Sequence, residues 1–373
     1  MNFRHRTLAQ QVSFSTGSGP LDLTAAVDRT GSTRALLIAS RSSAAWADAV
    51  TAPLPIAHRF GEILAHVPVD LADRARAAAD RVDADLVIVV GGGSAVGLAK
   101  AIALTHDLPI IAVPTTYSGS EVTPLWNLTD NGVKRTGTDS RVLPVEVVYD
   151  TELTTGLPTH LTIESALNSL AHCIDGLWAP GTNPVSTALG TDAIRILARG
   201  LYAIDRADAD AVDKIPFTAR EDLLLGAYLA GSALASTGPG MHHEVCHVLG
   251  GAFGLPHAAL HAALLPYTLA FNAPSAPAAA ERIARSLGAT DALDGLSDLY
   301  DHTGSRRPLR DLGLSRGDIR SVTDRVLAAI PPSNPRPADM TSVRHLLTAA
   351  WHSAPWREVV DYSNSRSGSG AHV

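Results

Sequence analysis

One segment, DLVIVVGGGSAVGLAKAIAL (residues 85–104), constrains the fold more than any other. A half-exposed strand alternates apolar and polar residues, whereas DLVIVV is almost unbroken, as in a strand covered on both faces of a parallel sheet. Three glycines then turn the chain into an Ala/Leu-rich stretch of helical texture. RALLIAS (34–40), PIIAVPTT (109–116) and VEVVYD (145–150) read as further strands of this kind, and LADRARAAADRV (71–82) as an amphipathic helix. Strands alternating with helices predict an α/β unit built on a parallel sheet. Beyond about residue 160 the β-branched runs fade and Ala/Leu helical periodicity takes over. The expected layout is an α/β domain over 1–158, an all-helical domain over 159–362 and a disordered Gly/Ser-rich tail over 363–373. The cleft between two such domains is the natural place for a site.

Composition narrows the partners. A chain of 373 residues with a net charge of −7 has no electrostatic reason to bind nucleic acid or an anionic membrane. No apolar run reaches the roughly 18 residues of a membrane-spanning helix. The first residues, MNFRHRTLAQQVSF, lack the apolar run of a secretory signal. Two cysteines, Cys173 and Cys246, cannot build a disulfide framework, and a reducing cytoplasm is the expected location.

Gly91, Gly92 and Gly93 permit close backbone approach and positive φ, and Ser94 is placed to cap the following helix, whose amides and dipole favour a phosphate. The spacing is neither G-x-G-x-x-G, because Val96 stands at the third glycine, nor a Walker A loop. The turn alone is as compatible with a structural role as with a nucleotide pyrophosphate. PTTYSGSEVTP (114–124) sets Thr115, Thr116, Ser118 and Ser120 at the end of the next strand, where open α/β sheets bind ligands, although a plain Ser/Gly loop reads the same way.

Five of fifteen histidines fall between 242 and 261: His242, His243, His247, His257 and His261. His172 follows Asn168 by four residues, as His247 follows His243, so each pair shares a helix face. His257, after Pro256, can open the next helix. His243-Glu244-x-x-His247 spells the zinc-peptidase motif, but that reading needs a third ligand and leaves the glycine turn unexplained.

Taken together, GGGSAVGLAK, PTTYSGSEVTP, ESALNSLAHCID and HHEVCHVLGGAFGLPHAALHAALLPYTLAFNAP resemble the iron-containing alcohol dehydrogenase superfamily, and within it the maleylacetate reductase branch. The resemblance implies an α/β dinucleotide-binding domain and an all-α C-terminal domain in the dehydroquinate synthase-like fold, as a homodimer. It implies NADH or NADPH bound by Gly91, Gly92, Gly93, Ser94, Thr115, Thr116 and Ser118, with Ser40 and Arg41 beside the ribose. The absence of an acid there leaves a 2′-phosphate acceptable. The ligands of metal-dependent members fall on Asn168, His172, His243 and His257, and His247 lies beside nicotinamide and substrate, so HEVCH matches the peptidase motif by accident. Gly97 and Asn168 stand where those members carry aspartates. A carboxamide brings no anionic charge to a divalent ion. The implied enzyme therefore works without metal, delivering hydride to a carbon–carbon double bond conjugated with a ketone while His243 and His257, supported by His172 and His247, supply N–H donors and the proton. Asn168, Tyr117 and His242 are the expected substrate contacts.

Two departures bear on substrate. Glu244 and Thr138 replace a lysine and an arginine usual in the branch, which disfavours a dianion if both face the site. Lys134 and Arg135 are partial replacements. The alternatives are a metal-dependent alcohol dehydrogenase, a member repurposed to a less acidic substrate, and a scaffold kept for non-redox chemistry.

Overall fold

The computed structural model describes residues 2–40, 43–130, 132–205 and 215–360. Arg41 and the tail 363–373 lie outside them. The first half carries β1 (Gln11–Ser15), α1 (Gly19–Thr30), β2 (Ala35–Ala39), α2 (Ala44–Thr51), β3 (Ile56–Phe60), α3 (Val69–Arg81), β4 (Leu86–Gly91), α4 (Gly93–His106), β5 (Ile110–Pro114), β6 (Leu125–Asp130), β7 (Val133–Thr138) and β8 (Glu146–Asp150). Six of these strands form one sheet in the order β1-β8-β5-β4-β2-β3, with every pairing parallel. Alternate residues feed opposite faces. Leu36, Ile38, Val87 and Val89 join the main core, while Leu37, Leu86, Ile88 and Val90 join the smaller core beneath α1 and α2. Burial on both faces is why these runs carry no polar alternation.

Chain order reverses between β2 and β4, since β2 leads outward to β3 whereas β4 leads to β5 on the other side. The ends of β2 and β4, with Ser40 and Gly91, therefore flank the switch point at which open sheets bind ligands. Four strands escape the sequence pattern: the edge strands β1 and β3, and the antiparallel pair β6–β7. β7, VKRTGT, is mostly exposed or half-buried and has no apolar rhythm to betray it.

The second half begins at Thr159 and is helical: α5 (Thr159–Gly176), α6 (Pro184–Tyr202), α7 (Phe217–Thr237), α8 (Met241–Phe253), α9 (His257–Asn272), α10 (Pro277–Ser286), α11 (Ala292–Thr303), α12 (Arg316–Ala329) and α13 (Met340–His352). Gly119, at φ +67°, brings the β5 loop onto α7; a Cβ there would stand 2.8 Å from the Ala227 carbonyl oxygen. Lys100 on α4 holds the same loop from the other side. Its ammonium donates to the carbonyls of Ser120 and Thr123 at 2.7 Å each and of Leu125 at 2.8 Å. Burial lowers its pKa to about 7 despite Glu121 nearby. Among the described residues no helix is long and apolar enough to cross a membrane.

Candidate active site

A cavity of about 510 Å³ lies between the C-terminal edge of the sheet, the helices α5, α8 and α9, and the β6–β7 hairpin. The first turn of α4 supplies Gly93 and Ser94, and the β5 loop supplies Thr116, Ser118 and Ser120. Gly92 is the N-cap and no side chain caps this helix, so Ser94 sits inside the first turn rather than capping it as expected. None of the three glycines has positive φ. What Gly92 provides is space: a Cβ would stand 2.8 Å from Thr116 Cγ2. The amides of an uncapped helix start, facing a cavity, suit a phosphate.

The opposite wall carries Asn168 and His172 from α5, His243 and His247 from α8, and His257 from the first position of α9. His172 and His243, 71 residues apart, meet with Nδ1 of the first 2.6 Å from Nε2 of the second. His172 Nε2 donates to the Ser118 carbonyl at 3.0 Å, and His243 Nδ1 donates to Asp175 Oδ2 at 2.7 Å. Those two bonds use one N–H of each ring, so a hydrogen bond between the nitrogens that face each other requires a third proton. Two imidazoles with three protons carry one positive charge. Burial and the neighbouring His243 push His172 down to about 3. Asp175 accepts from His243. Burial alone would raise this carboxyl, but its bond to His243 and the histidine charges hold it at about 2. The same carboxylate accepts from the backbone N–H of Gly240 at 2.9 Å, His242 at 3.2 Å and His243 at 3.3 Å, anchoring the start of α8.

Two cavity residues present buried polar atoms without a hydrogen-bond partner among the described residues, Asn168 Oδ1 and His247 Nδ1. Lys134 of β7 faces His247 and His257 across the cavity. Burial lowers its pKa to about 8 while Cys246 and Glu244 oppose the shift, and its charge helps keep both imidazoles neutral.

Two family models cover most of the chain: iron-containing alcohol dehydrogenase over residues 12–151 and the C-terminal model of the Fe-containing alcohol dehydrogenase family over 162–351. The chain belongs to the iron-containing alcohol dehydrogenase family. A maleylacetate reductase of Burkholderia cepacia is 44% identical, across 90% of this chain and 94% of that protein. The crystal structure of an iron-containing alcohol dehydrogenase from Corynebacterium glutamicum superimposes with a TM-score of 0.91 at 43% identity, covering 96% of this chain and 99% of that one. That of a maleylacetate reductase from Agrobacterium tumefaciens gives 0.86 at 36%, covering 95% and 99%. This membership assigns the maleylacetate reductase branch, the two-part α/β and helical fold, and an oxidoreductase on a dinucleotide-binding scaffold.

The family's metal site does not fit the residues present. Two imidazoles on one tetrahedral ion at about 2.1 Å stand roughly 3.4 Å apart; His172 and His243 are bonded to each other at 2.6 Å. Asn168 brings no charge, and a Cβ on Gly97, where the metal-dependent members carry an aspartate, would stand 2.9 Å from Val67. Among the described residues, the donor atoms that do converge, within 4.8 Å, belong to His242, Cys246 and His261, all buried and outside the expected set.

Several expected contacts do not line this cavity. Tyr117 is fully buried in the main core and does not line the cavity, because the β5 loop alternates and directs its neighbours Thr116 and Ser118 there instead. His242 also turns away, its ring bonded to Thr268 at 2.9 Å and His261 at 3.0 Å. Gly91, Gly92, Thr115 and Ser40 shape the turns at the strand ends without lining this cavity; Ser40 bonds Ser43 at 2.9 Å. Thr138 lines the cavity but Glu244 does not, so of the two altered charges only the lost arginine faces it. Arg135 pairs with Asp130 at 2.6 Å, away from the cavity, leaving Lys134 as the partial replacement. Asp175 and Lys100 were missed in the sequence. For Lys100 the signal was a lysine in an otherwise apolar helix; for Asp175 it was an acid three residues after His172.

Proposed function

We propose that this protein reduces maleylacetate to 3-oxoadipate with NADH or NADPH and without metal, as a cytoplasmic homodimer. The observation that carries the metal-free chemistry is the His172–His243 pair, in contact at 2.6 Å and held by Asp175, which a third proton would make cationic. Gly93, Ser94, Thr116 and Ser118 hold the dinucleotide, the uncapped start of α4 facing its phosphates. NADH or NADPH, when bound, would supply a hydride to the alkene carbon β to the ketone. The alkene electron pair then moves toward the ketone, and negative charge develops on its oxygen. A buried imidazolium is an electrophile matched to that charge, in surroundings where water cannot screen it. The same pair is a proton source for the α carbon, which leaves both rings neutral until solvent returns the proton. Asn168 and His247, with their unpartnered atoms, orient the substrate, and Lys134 binds one of its carboxylates.

The test follows nicotinamide absorbance during turnover of maleylacetate by chelator-stripped protein of assayed metal content. Full turnover without metal supports the proposal. Activity proportional to added iron or zinc would overturn the metal-free chemistry, and tight cofactor binding without turnover would overturn the substrate. Preference between NADH and NADPH is expected to stay below about a thousandfold, roughly 4 kcal/mol.

A further inference from the structure

A second cavity, of about 390 Å³, adjoins the first, and Glu164 and Ala259 line both. Arg306 and Arg307, from the chain after α11, border it. Arg306 is committed elsewhere: it bonds Asp301 at 2.5 Å and Ser297 at 2.5 Å, and lies 4.2 Å over the Trp356 ring. Arg307 is held more loosely, reaching Glu164 at 3.3 Å with its side chain 48% exposed. From this we infer that Arg307 is the subsite for the distal carboxylate of the substrate, with Glu164 its resting partner and gate between the two cavities. The inference rests on the maleylacetate reading above.

Charge and geometry both lead there. A dianion entering a partly dry cleft needs a cation at each end. The catalytic cavity supplies Lys134, and at position 138 it presents a threonine. Glu164, Asn168 and His172 follow one another at intervals of four on α5, so one face of this helix runs from Arg307 to the histidine pair. Glu164 and His172 are separated by about 12 Å of helix rise. A ketone oxygen on the pair and a carboxylate two carbons further on, each at hydrogen-bond distance from its partner, together span roughly 10 Å. The planar guanidinium can exchange the Glu164 carboxylate for the substrate's with little change in its own position.

The experiment compares maleylacetate with (Z)-4-oxopent-2-enoate, the same enone without the distal carboxylate, in wild type, Arg307→Ala, Arg307→Lys and Glu164→Gln. Arg307→Ala is expected to raise KM for maleylacetate at least tenfold with kcat largely retained, while KM for the monocarboxylate moves less than threefold. Arg307→Lys should recover part of the loss, and Glu164→Gln should lower KM for the dianion by removing the competing anion. Calorimetric binding of 3-oxoadipate and 4-oxopentanoate to the cofactor complex reads the same subsite without turnover. If wild type does not turn over maleylacetate, the substrate reading fails, and the calorimetric difference still decides the subsite. An equal effect of Arg307→Ala on both members of each pair, or no effect on either, overturns it.

Discussion

Replacing Asp175 by asparagine separates a charged histidine pair from a merely stacked one. The carboxylate accepts five hydrogen bonds: on Oδ2 from the N–H of Gly240 (2.9 Å), the N–H of His243 (3.3 Å) and its Nδ1 (2.7 Å), and on Oδ1 from the N–H of His242 (3.2 Å) and Trp178 Nε1 (3.2 Å). Every partner is a donor. In either orientation a carboxamide turns its NH₂ toward at least two of them, and the charge that holds the third proton between His172 and His243 is gone. Removing one member of a buried ion pair costs about 3–5 kcal/mol. Where that interaction stabilises the developing oxyanion, kcat falls by about two to four orders of magnitude. The loop and helix start proposed to hold the dinucleotide are not contacted by Asp175, so cofactor affinity is expected to remain within a few-fold. The assay is steady-state kinetics on maleylacetate, with quenching of nicotinamide fluorescence for cofactor binding and circular dichroism as the check on folding. An Asp175→Asn protein that is folded, binds cofactor and keeps more than a tenth of wild-type kcat would refute the charged-pair argument.

Acid should destabilise the fold early. His172 and His242 have folded pKa values of about 3 against an ordinary 6.5, so the unfolded chain binds more protons between these limits and stability falls as pH drops through that window. At pH 5 the loss is of order 2 kcal/mol for each, read as a decline in urea midpoint beginning below pH 6.5, whereas a flat midpoint down to pH 4 would contradict their neutral burial. Thr138→Arg faces the cavity and should raise kcat/KM for maleylacetate several-fold, whereas Glu244→Lys, outside the cavity wall, should change it less; the reverse order would show that the wall is misassigned. Gly97→Asp should destabilise by about 1–3 kcal/mol, because its Cβ meets Val67 at 2.9 Å, and should create no iron or zinc site by metal analysis after dialysis.

Much of the scaffold is legible without coordinates. Unbroken apolar runs at 35–39, 86–91 and 110–114 are strands because both faces of the sheet are covered, and the glycine turn at 91–93 marks where the strand gives way to the helix start that faces the site. Intervals of four predict that Asn168 with His172, and His243 with His247, point the same way, and all four line the cavity. β7 was illegible because an exposed hairpin that roofs a cleft has no apolar period, and with it went the position of Lys134.

Local periodicity says which residues of one helix share a face, but not which way that face is turned. Here the sequence by itself determined the order of the four inner strands, the double coverage of the sheet and the separate histidine faces of α5 and α8. Only tertiary packing decided that His172 and His243 meet, that Asp175 holds the His243 ring, that Tyr117 and His242 turn inward, and that Arg307 lines a second cavity. These are contacts between groups tens of residues apart, set by how the helices are rotated and how the loops dock. A single strand or helix carries no record of them.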